Sequence, residues 1–220
     1  MKPIIALNLK VYKESLGEGG LKLCEIASEV SLLTGVRIII APQHIDLREA
    51  CKRHSEIFAQ HTDPVLQGAF TGTMTAEAVK EAGCKGSLIN HSEHRIPMED
   101  IATLVKRLRE LGLESIVCTK DADESALVAK FKPDYIAVEP PELIGSGISV
   151  STAKPEVVTS TVQKVKAVAN VPVLCGAGVT TPSDVKKAIE LGSEGILLAS
   201  AFVRSSDPRT LLMQMAEQIK

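Results

Sequence analysis

Three reactive side chains each stand at the end of a short apolar run in this sequence. Lys10 ends the first such run, His91 follows the fourth and Glu139 follows the sixth. Short β-branched runs between polar or turn residues are typical of buried strands. If the strands are parallel, their carboxyl ends meet, so that a cation, an imidazole and a carboxylate share one edge of a sheet. Such a trio can move a proton at a carbon beside a carbonyl.

Apolar runs recur along the whole chain, with helical patterns between them. We predict eight strands, at residues 4–7, 37–41, 56–60, 87–90, 115–119, 134–138, 171–175 and 195–198. The clearest helical patterns cover residues 15–34, 98–111, 154–169 and 181–191. The last of them opens with Thr181 as a cap and Pro182 in the first turn. Alternating strand and helix patterns indicate βα units and a parallel sheet.

Eight βα units predict an α/β fold that closes into a (β/α)8 barrel of the TIM type. The alternative is an open doubly wound sheet, which a glycine-rich nucleotide fingerprint after the first strand would favour. The segment Asn8-Leu9-Lys10-Val11 has no such glycines. No linker or low-complexity stretch divides the chain, so we expect one barrel domain over residues 1–220.

Composition argues against several classes of function. Of the 220 residues 45% are hydrophobic, enough for a large core, yet no apolar run reaches the roughly 18 residues of a membrane span. A net charge of −2, two Tyr and no Trp argue against nucleic-acid or membrane partners. Five cysteines without a CxxC pair indicate reduced thiols in a cytoplasmic protein. The first strand follows Met1 almost at once, so we expect no signal peptide.

Asn8 and Lys10 are two residues apart on the first predicted strand. Strand alternation would therefore point both side chains into the barrel mouth. A lysine at a strand end is otherwise a solvated surface charge, but a face shared with Asn8 favours a functional role. There the ammonium group would attract a dianionic ligand.

His91 is the histidine that best fits a chemical role. It comes first after its strand, before a Ser-Glu pair that can start a helical turn whose dipole would keep the ring neutral. We interpret His94 as part of a polar loop, His44 and His61 as lining the barrel mouth, and His54 as a residue of a surface helix. Metal binding would need several converging His or carboxylate ligands, and the first strand has no His-x-His pair, so we predict no metal.

Glu139 is followed at once by two prolines and, a few residues later, by Gly145-Ser146-Gly147. A salt-bridged carboxylate at the rim is one interpretation. The stiff start and the glycine-rich end favour another, in which residues 140–147 form a lid that closes on an anion and excludes water.

Small residues follow the last two predicted strands. Gly178 and the pair Ala199-Ser200 lie in segments that lead into helices. In barrels of this type these turns commonly hold a phosphate group. Tight turns also use glycine, so either segment alone is a weak signal. Together they predict a phosphorylated ligand.

These motifs, in this order, resemble the triosephosphate isomerase family in its short, archaeal form, and the resemblance covers the whole chain. It is carried by Asn8-Leu9-Lys10, by residues 68–72, by Asn90-His91-Ser92-Glu93, and by Val138-Glu139-Pro140 with Ile144-Gly145-Ser146-Gly147. The chain departs from the pattern where Asn90 replaces the usual Gly, where Gly178 replaces Ser, where Ala199-Ser200 replaces Gly-Gly, and where the lid lacks a Trp.

The resemblance implies a reaction and a role for each residue of the site. The reaction is the interconversion of dihydroxyacetone phosphate and D-glyceraldehyde 3-phosphate, without a cofactor. Glu139 would be the general base, His91 the neutral electrophile and Lys10 the electrostatic partner of the enediolate, with Glu93 orienting Lys10. Substrate contacts would come from Asn8, Lys10, Ile144, Gly145, Gly178, Ala199 and Ser200.

Two other functions remain open at this point. One is another phosphate-binding barrel isomerase acting on a larger sugar phosphate, which would not require the set of Lys10, His91 and Glu139. The other is a sensor of phosphorylated metabolites without catalysis, which would lose at least one of the three.

Residues 61–73 form a loop that is long for a βα connection in a compact barrel. The family resemblance implies that this loop reaches into a pocket beside Lys10 of a second copy. We therefore expect a homodimer or homotetramer.

Overall fold

The computed structural model describes residues 2–140 and 149–219. Within these ranges eight parallel strands form one sheet, in the order β2-β1-β8-β7-β6-β5-β4-β3. A single bridge between Ile40 and Ile57 joins β2 to the segment that leads into β3 and closes the ring. Helices separate the strands along the chain, so the predicted (β/α)8 barrel is confirmed.

The elements are short. Strands β1 to β8 are Ile4–Asn8, Arg37–Ala41, Phe58–Ala59, Gly86–Ile89, Glu114–Thr119, Tyr135–Val138, Val173–Cys175 and Gly195–Leu198. Helices α1 to α10 are Glu18–Thr34, Leu47–Arg53, Ala76–Glu81, Met98–Glu110, Ala122–Ala129, Val150–Ala153, Pro155–Val168, Pro182–Glu190, Ser200–Val203 and Pro208–Glu217. Two 3-10 turns, Lys13–Ser15 and His44–Asp46, precede α1 and α2.

Most predicted elements agree with the structure to within a few residues. The third strand is the main exception, because it pairs with β4 over two residues only and meets β2 through one bridge. The helix predicted from residue 15 begins at Glu18, after the 3-10 turn. The predicted start of α8 is confirmed: the Thr181 side chain accepts a hydrogen bond from the Asp184 N–H in a capping box, and Pro182 follows it.

Strand alternation divides the core into an inner and an outer layer. Ile4 and Ala6 of β1 pack inside the barrel with residues such as Phe58, whereas Ile5 and Leu7 pack outward against the helices. The same alternation turns Asn8 toward the barrel interior at the carboxyl end of β1. A buried polar side chain therefore stands where the apolar filling of the barrel ends.

The amino-terminal end of the barrel carries an ion-pair cluster. Arg37 of β2 lies 2.5 Å from Glu56 and 2.7 Å from Glu114, and its Nη1 donates to the Tyr135 hydroxyl at 3.0 Å. These contacts tie β2, β5, β6 and the segment before β3 together. Because active sites of such barrels lie at the opposite end, we interpret the cluster as structural.

Two expectations about side chains are wrong. His54 is not on the surface of a helix: it directly follows α2, is 5% exposed, and its Nε2 lies 2.6 Å from the carbonyl oxygen of Ile38. Lys10 is not part of the first strand, because β1 ends at Asn8 and Lys10 has a φ of 47°. Strand alternation therefore does not set the direction of Lys10.

Candidate active site

A cleft opens at the carboxyl ends of the strands. It is lined by Asn8, Lys10, His91 and Glu139, together with the turns that follow β7 and β8. The cation, imidazole and carboxylate expected from the sequence are thus brought to one place, at the end of the barrel where active sites of this fold lie.

Lys10 is held in the cleft by its backbone. Its N–H donates to Asn8 Oδ1 at 3.0 Å, and its carbonyl oxygen accepts a hydrogen bond from Gln60 Nε2 at 2.9 Å. These bonds help to offset the cost of a left-handed backbone in a residue other than glycine. The Lys10 side chain is 15% exposed, and its Nζ lies 2.8 Å from Glu93 Oε1. The ammonium group is thereby fixed at the mouth of the cleft.

His91 presents one ring nitrogen to the cleft and binds the backbone with the other. The backbone N–H of Glu93 donates to His91 Nδ1 at 3.2 Å. Because an N–H can only donate, Nδ1 is the acceptor in this bond, which leaves the ring proton on Nε2. Ser92 and Glu93 form a turn, closed by the His94 N–H on the His91 carbonyl at 2.7 Å, and the next helix starts only at Met98.

Glu139 follows β6 and is almost fully buried, with 3% of its surface exposed. Its backbone N–H donates to the Thr119 carbonyl at 2.7 Å, and its Oε1 lies 3.5 Å from His91 Nε2. Among the described residues, nothing donates a hydrogen bond to the second carboxylate oxygen, Oε2. A buried carboxylate oxygen without a donor is available to accept a proton from a ligand.

Two residues that contact the turns of the site, Asn90 and Cys118, were not predicted from the sequence to be functional. Asn90 has a φ of 60°, donates to the Cys118 carbonyl at 2.9 Å and accepts the Ile96 N–H at 3.0 Å, which fixes the turn that carries His91. Burial, followed by the charge of Glu139, raises the pKa of Cys118 well above its usual value, so this thiol stays neutral. The signal for Asn90 was present: Asn and Gly are the residues that tolerate a positive φ.

The turns after β7 and β8 form another part of the cleft wall. Gly178, with a φ of 66°, stands in the first turn, and Ala199 and Ser200 stand at the start of the short α9. All three line the cleft. Ile144 and Gly145, and the lid expected at residues 140–147 apart from Pro140, lie outside the described residues.

A second cleft adjoins the first on the other side of Lys10. It is lined by His44, His61 and His94 together with Gln60, so the expected location of His44 and His61 at the barrel mouth agrees with the structure. The rings of His61 and His94 stack with their centroids 3.8 Å apart. Burial lowers the pKa of His44 and of His61, which keeps both rings neutral near pH 7.

Residues 2–140 and 149–219 hold no group of three or more His, Cys, Asp or Glu side chains arranged to bind a metal ion. Within the same ranges no helix has both the length and the apolar character needed to cross a bilayer.

An imidazole, a buried carboxylate and a lysine line one cleft at a barrel mouth whose last two turns contain small residues. This arrangement is that of a (β/α)8-barrel enzyme, because active sites of the fold lie at this end of the strands. The sequence profile of the triosephosphate isomerase family matches residues 3–218. The chain belongs to this family.

Relatives named triosephosphate isomerase match the chain over nearly its full length. The protein of Methanothermus fervidus is 52% identical over 220 residues, covering 99% of each chain. That of Methanocaldococcus jannaschii is 47% identical over 98% of this chain and 100% of its own. That of Archaeoglobus fulgidus is 47% identical over 96% of both. The resemblance to the short, archaeal form is confirmed.

Membership of the family establishes the reaction class. The chain is an isomerase that interconverts dihydroxyacetone phosphate and D-glyceraldehyde 3-phosphate, a step of glycolysis and gluconeogenesis. The two other functions left open by the sequence, a different sugar-phosphate isomerase and a non-catalytic sensor, are not supported by the comparisons.

Proposed function

We propose that Glu139, His91 and Lys10 carry out the isomerisation. The observation that carries this proposal is the facing pair of Glu139 and His91, with Oε1 3.5 Å from Nε2, in a cleft that also contains Lys10. Glu139 removes a proton from the carbon next to the carbonyl and returns it to the neighbouring carbon. Its buried position supports this role, because no water shell has to be removed from the carboxylate at the moment of transfer.

His91 stabilises the oxygen that becomes negative during this transfer. Its Nε2–H donates a hydrogen bond to that oxygen, while the Glu93 N–H on Nδ1 keeps the ring in the required tautomer. A donor already oriented in the free enzyme stabilises the enediolate without reorganisation.

Lys10 contributes a fixed positive charge. Its ammonium group attracts the substrate dianion and the enediolate, and Glu93, 2.8 Å from Nζ, orients it. Glu93 is a positioning residue in this account, because it acts through Lys10 and through the His91 turn.

The phosphate group binds on the wall formed by the turns after β7 and β8. We assign it to Gly178, Ala199 and Ser200, whose small side chains let a ligand approach the backbone. Asn8 completes the floor of the cleft. From the sequence we add Ile144 and Gly145, outside the described residues, as contacts from a closing lid.

Solvent-exchange kinetics in D2O test the role of Glu139. The wild-type chain should isomerise glyceraldehyde 3-phosphate and incorporate deuterium at carbon. Glu139→Gln should lose both activities together, with kcat lower by about 100- to 10,000-fold, the usual contribution of a general base. Glu18→Gln, at the exposed start of α1, is the matched control and should behave as wild type. If folded Glu139→Gln still incorporated deuterium at the wild-type rate, the general base would be another group.

A second copy of the chain is the proposed partner. Within residues 61–73, the loop base is closed by hydrogen bonds from the Asp63 N–H to the Met74 carbonyl, 2.8 Å, and from the Met74 N–H to Asp63 Oδ2, 2.6 Å. The loop carries Leu66 and Phe70, which are 64% and 52% exposed. A braced loop with exposed apolar side chains is suited to insertion into a partner.

The second cleft, lined by the three histidines beside Lys10, is the proposed receiving surface. Val11 and Ile45, 78% and 90% exposed, add apolar area beside it. We therefore propose a homo-oligomer in which the loop of one copy covers this cleft in another. Dimers and tetramers both satisfy this contact.

Sedimentation velocity tests the interface. Wild-type chain should sediment as an oligomer at micromolar concentration, and Phe70→Glu combined with Leu66→Glu should yield monomers of low activity. Leu32→Glu, at an 84% exposed position of α1, is the matched control and should leave the oligomer intact. A fully active wild-type monomer would contradict the proposal.

We also propose that the enzyme works in the cytoplasm. The five cysteines are free thiols in the structure, as expected in a reducing compartment. Cell fractionation that recovers the isomerase with soluble cytoplasmic markers would support this location, and its recovery in an exported fraction would contradict it.

A further inference from the structure

Two of the five cysteines lie against each other in the helical layer. Cys51 stands in the last turn of α2, and Cys84 stands between α3 and β4. Their sulfur atoms are 3.8 Å apart. Cys84, like Cys24, Cys118 and Cys175, is buried, whereas Cys51 is partly exposed.

The segment that carries Cys84 packs directly against Cys51. A Cβ atom built on Gly83, the residue before Cys84, would lie 3.5 Å from Cβ and 3.6 Å from Sγ of Cys51. The two sulfur atoms, 3.8 Å apart, must come about 1.8 Å closer to reach the roughly 2 Å of a disulfide bond.

We propose that Cys51 and Cys84 form a redox-active pair, which closes to a reversible disulfide when the protein meets a peroxide. Peroxide first transfers oxygen to the Cys51 thiolate: the S–O bond forms, the O–O bond breaks, and the departing hydroxide takes a proton to become water. The Cys84 sulfur then attacks the oxidised Cys51 sulfur. The S–S bond forms, the S–O bond breaks, and hydroxide leaves with the Cys84 proton as a second water. Two thiols lose two electrons and the peroxide gains them.

The surroundings of the two thiols indicate which of them reacts first with peroxide. The hydrogen bond between the two thiols, aided by the charge of Lys85, lowers the pKa of Cys51 although burial opposes this. The same hydrogen bond, together with burial, raises the pKa of Cys84. Cys51 is also the more exposed of the two. Cys51 is therefore the thiol that peroxide attacks, and Cys84 is the resolving thiol.

The disulfide would reinforce the weakest part of the barrel wall. It closes a loop of 33 residues in sequence that contains β3, residues 61–73 and α3. In that loop β3 pairs with β4 over two residues only, and the contact to β2 is one bridge. A cross-link restricts the unfolded chain, so the oxidised protein should melt at a higher temperature. Neither cysteine lines the cleft with Glu139, so kcat should not change.

Mass spectrometry and thermal unfolding test this inference on the reduced full-length protein. A small excess of hydrogen peroxide should lower the intact mass by about 2 Da, for two hydrogens, without adding oxygen. Peptide mapping should find one disulfide, between the peptides of Cys51 and Cys84. The melting temperature should rise by several degrees, kcat should stay constant, and dithiothreitol should reverse both the mass and the melting shift.

Variants separate this pairing from its neighbours. Cys24 is also a neighbour of Cys51, close enough for the charge of a Cys51 thiolate to raise the pKa of Cys24. Cys24→Ala is therefore the matched control and should still form the Cys51–Cys84 disulfide. Cys84→Ala should stop at the sulfenic acid of Cys51, which dimedone traps. Three results would overturn the proposal. They are a disulfide-linked Cys24–Cys51 peptide, a mass gain of about 32 Da at Cys51 of the wild-type protein, which indicates sulfinic acid, and no reaction at all. If a variant does not fold, the wild-type peptide map decides alone.

Discussion

Gly176 and Glu139 are in contact so close that any side chain at position 176 would have to displace Glu139. A Cβ atom on Gly176 would lie 2.5 Å from Cγ of Glu139 and 3.0 Å from the Val138 carbonyl oxygen. Gly176 does not have a positive φ, so its backbone alone would accept alanine. The side chain of Glu139 is thus the reason for glycine after β7, and Gly176 sets where the carboxylate lies.

We expect Gly176→Ala to displace the carboxylate and lower kcat. A misplacement of about 1 Å can cost about 100-fold in rate. Binding of a phosphate-bearing inhibitor such as phosphoglycolate should fall less than kcat, since Gly178, Ala199 and Ser200 are unchanged. Steady-state kinetics with inhibitor titration measure both.

A double-mutant cycle on stability provides the control for Gly176→Ala. The loss of unfolding free energy should be smaller in a Glu139→Ala background, because the atom that the new Cβ would meet is gone. Equal losses in both backgrounds would assign the clash to the Val138 carbonyl and remove Gly176 as a positioning residue.

Lys10→Met should fold and bind anions weakly. Methionine keeps the length of the side chain but removes the charge that attracts phosphate and enediolate, so both kcat/KM and phosphoglycolate affinity should fall by orders of magnitude. Lys13→Met, at an exposed position in the adjacent 3-10 turn, is the matched control. An active Lys10→Met would reduce Lys10 to a surface charge.

The ring of His91 should carry a proton on Nε2 and none on Nδ1 in the free enzyme. The Glu93 N–H that donates to Nδ1 requires this form. Nitrogen NMR of ring-labelled protein distinguishes the two tautomers from the doubly protonated ring. Observation of the doubly protonated ring in the free enzyme would contradict the assigned role. His91→Gln should retain inhibitor binding and lose kcat, since the ring acts mainly on the transition state.

Acid should destabilise the fold partly through His54. Burial lowers the pKa of His54, so below about pH 6.5 the unfolded chain gains a proton there before the folded chain does. The contribution of neutral His54 to the free energy of unfolding is therefore fully present above that pH, and it is lost as the pH falls toward the lowered pKa. His54→Gln, which can still donate to the Ile38 carbonyl, should reduce the pH slope of the unfolding free energy by up to about one proton. An unchanged slope between pH 7.5 and 5.5 would exclude His54.

Sequence patterns predicted the barrel because each strand and helix has its own local signal. Apolar runs and caps such as Thr181 are local features, and the structure confirms the elements they indicate. The location of Lys10, His91 and Glu139 at one end of the sheet follows from parallel strand order alone, which is why the sequence could bring them together.

What the sequence could not predict depends on contacts between distant segments. His54 seemed exposed because nothing in its neighbourhood along the chain reveals the Ile38 carbonyl of β2. The need for glycine at position 176 could not be predicted from the sequence, because it arises from contact with Glu139, which is 37 positions away. The inward direction of Lys10 was expected from strand alternation, yet it depends on the Lys10 backbone, which donates to Asn8 Oδ1 and accepts from Gln60 Nε2.

At position 10, with its left-handed backbone, stability and catalysis favour different residues. Asn90 has nearly the same φ, 60° against 47°, and is a residue type that accepts it. Selection for folding alone would choose glycine or asparagine at position 10, and Lys10→Gly should yield a protein that resists denaturant better while catalysing nothing. A library of variants of this chain that is screened only for thermal stability should therefore lose Lys10. Directed evolution toward higher stability must select for isomerase activity in every round to keep this lysine.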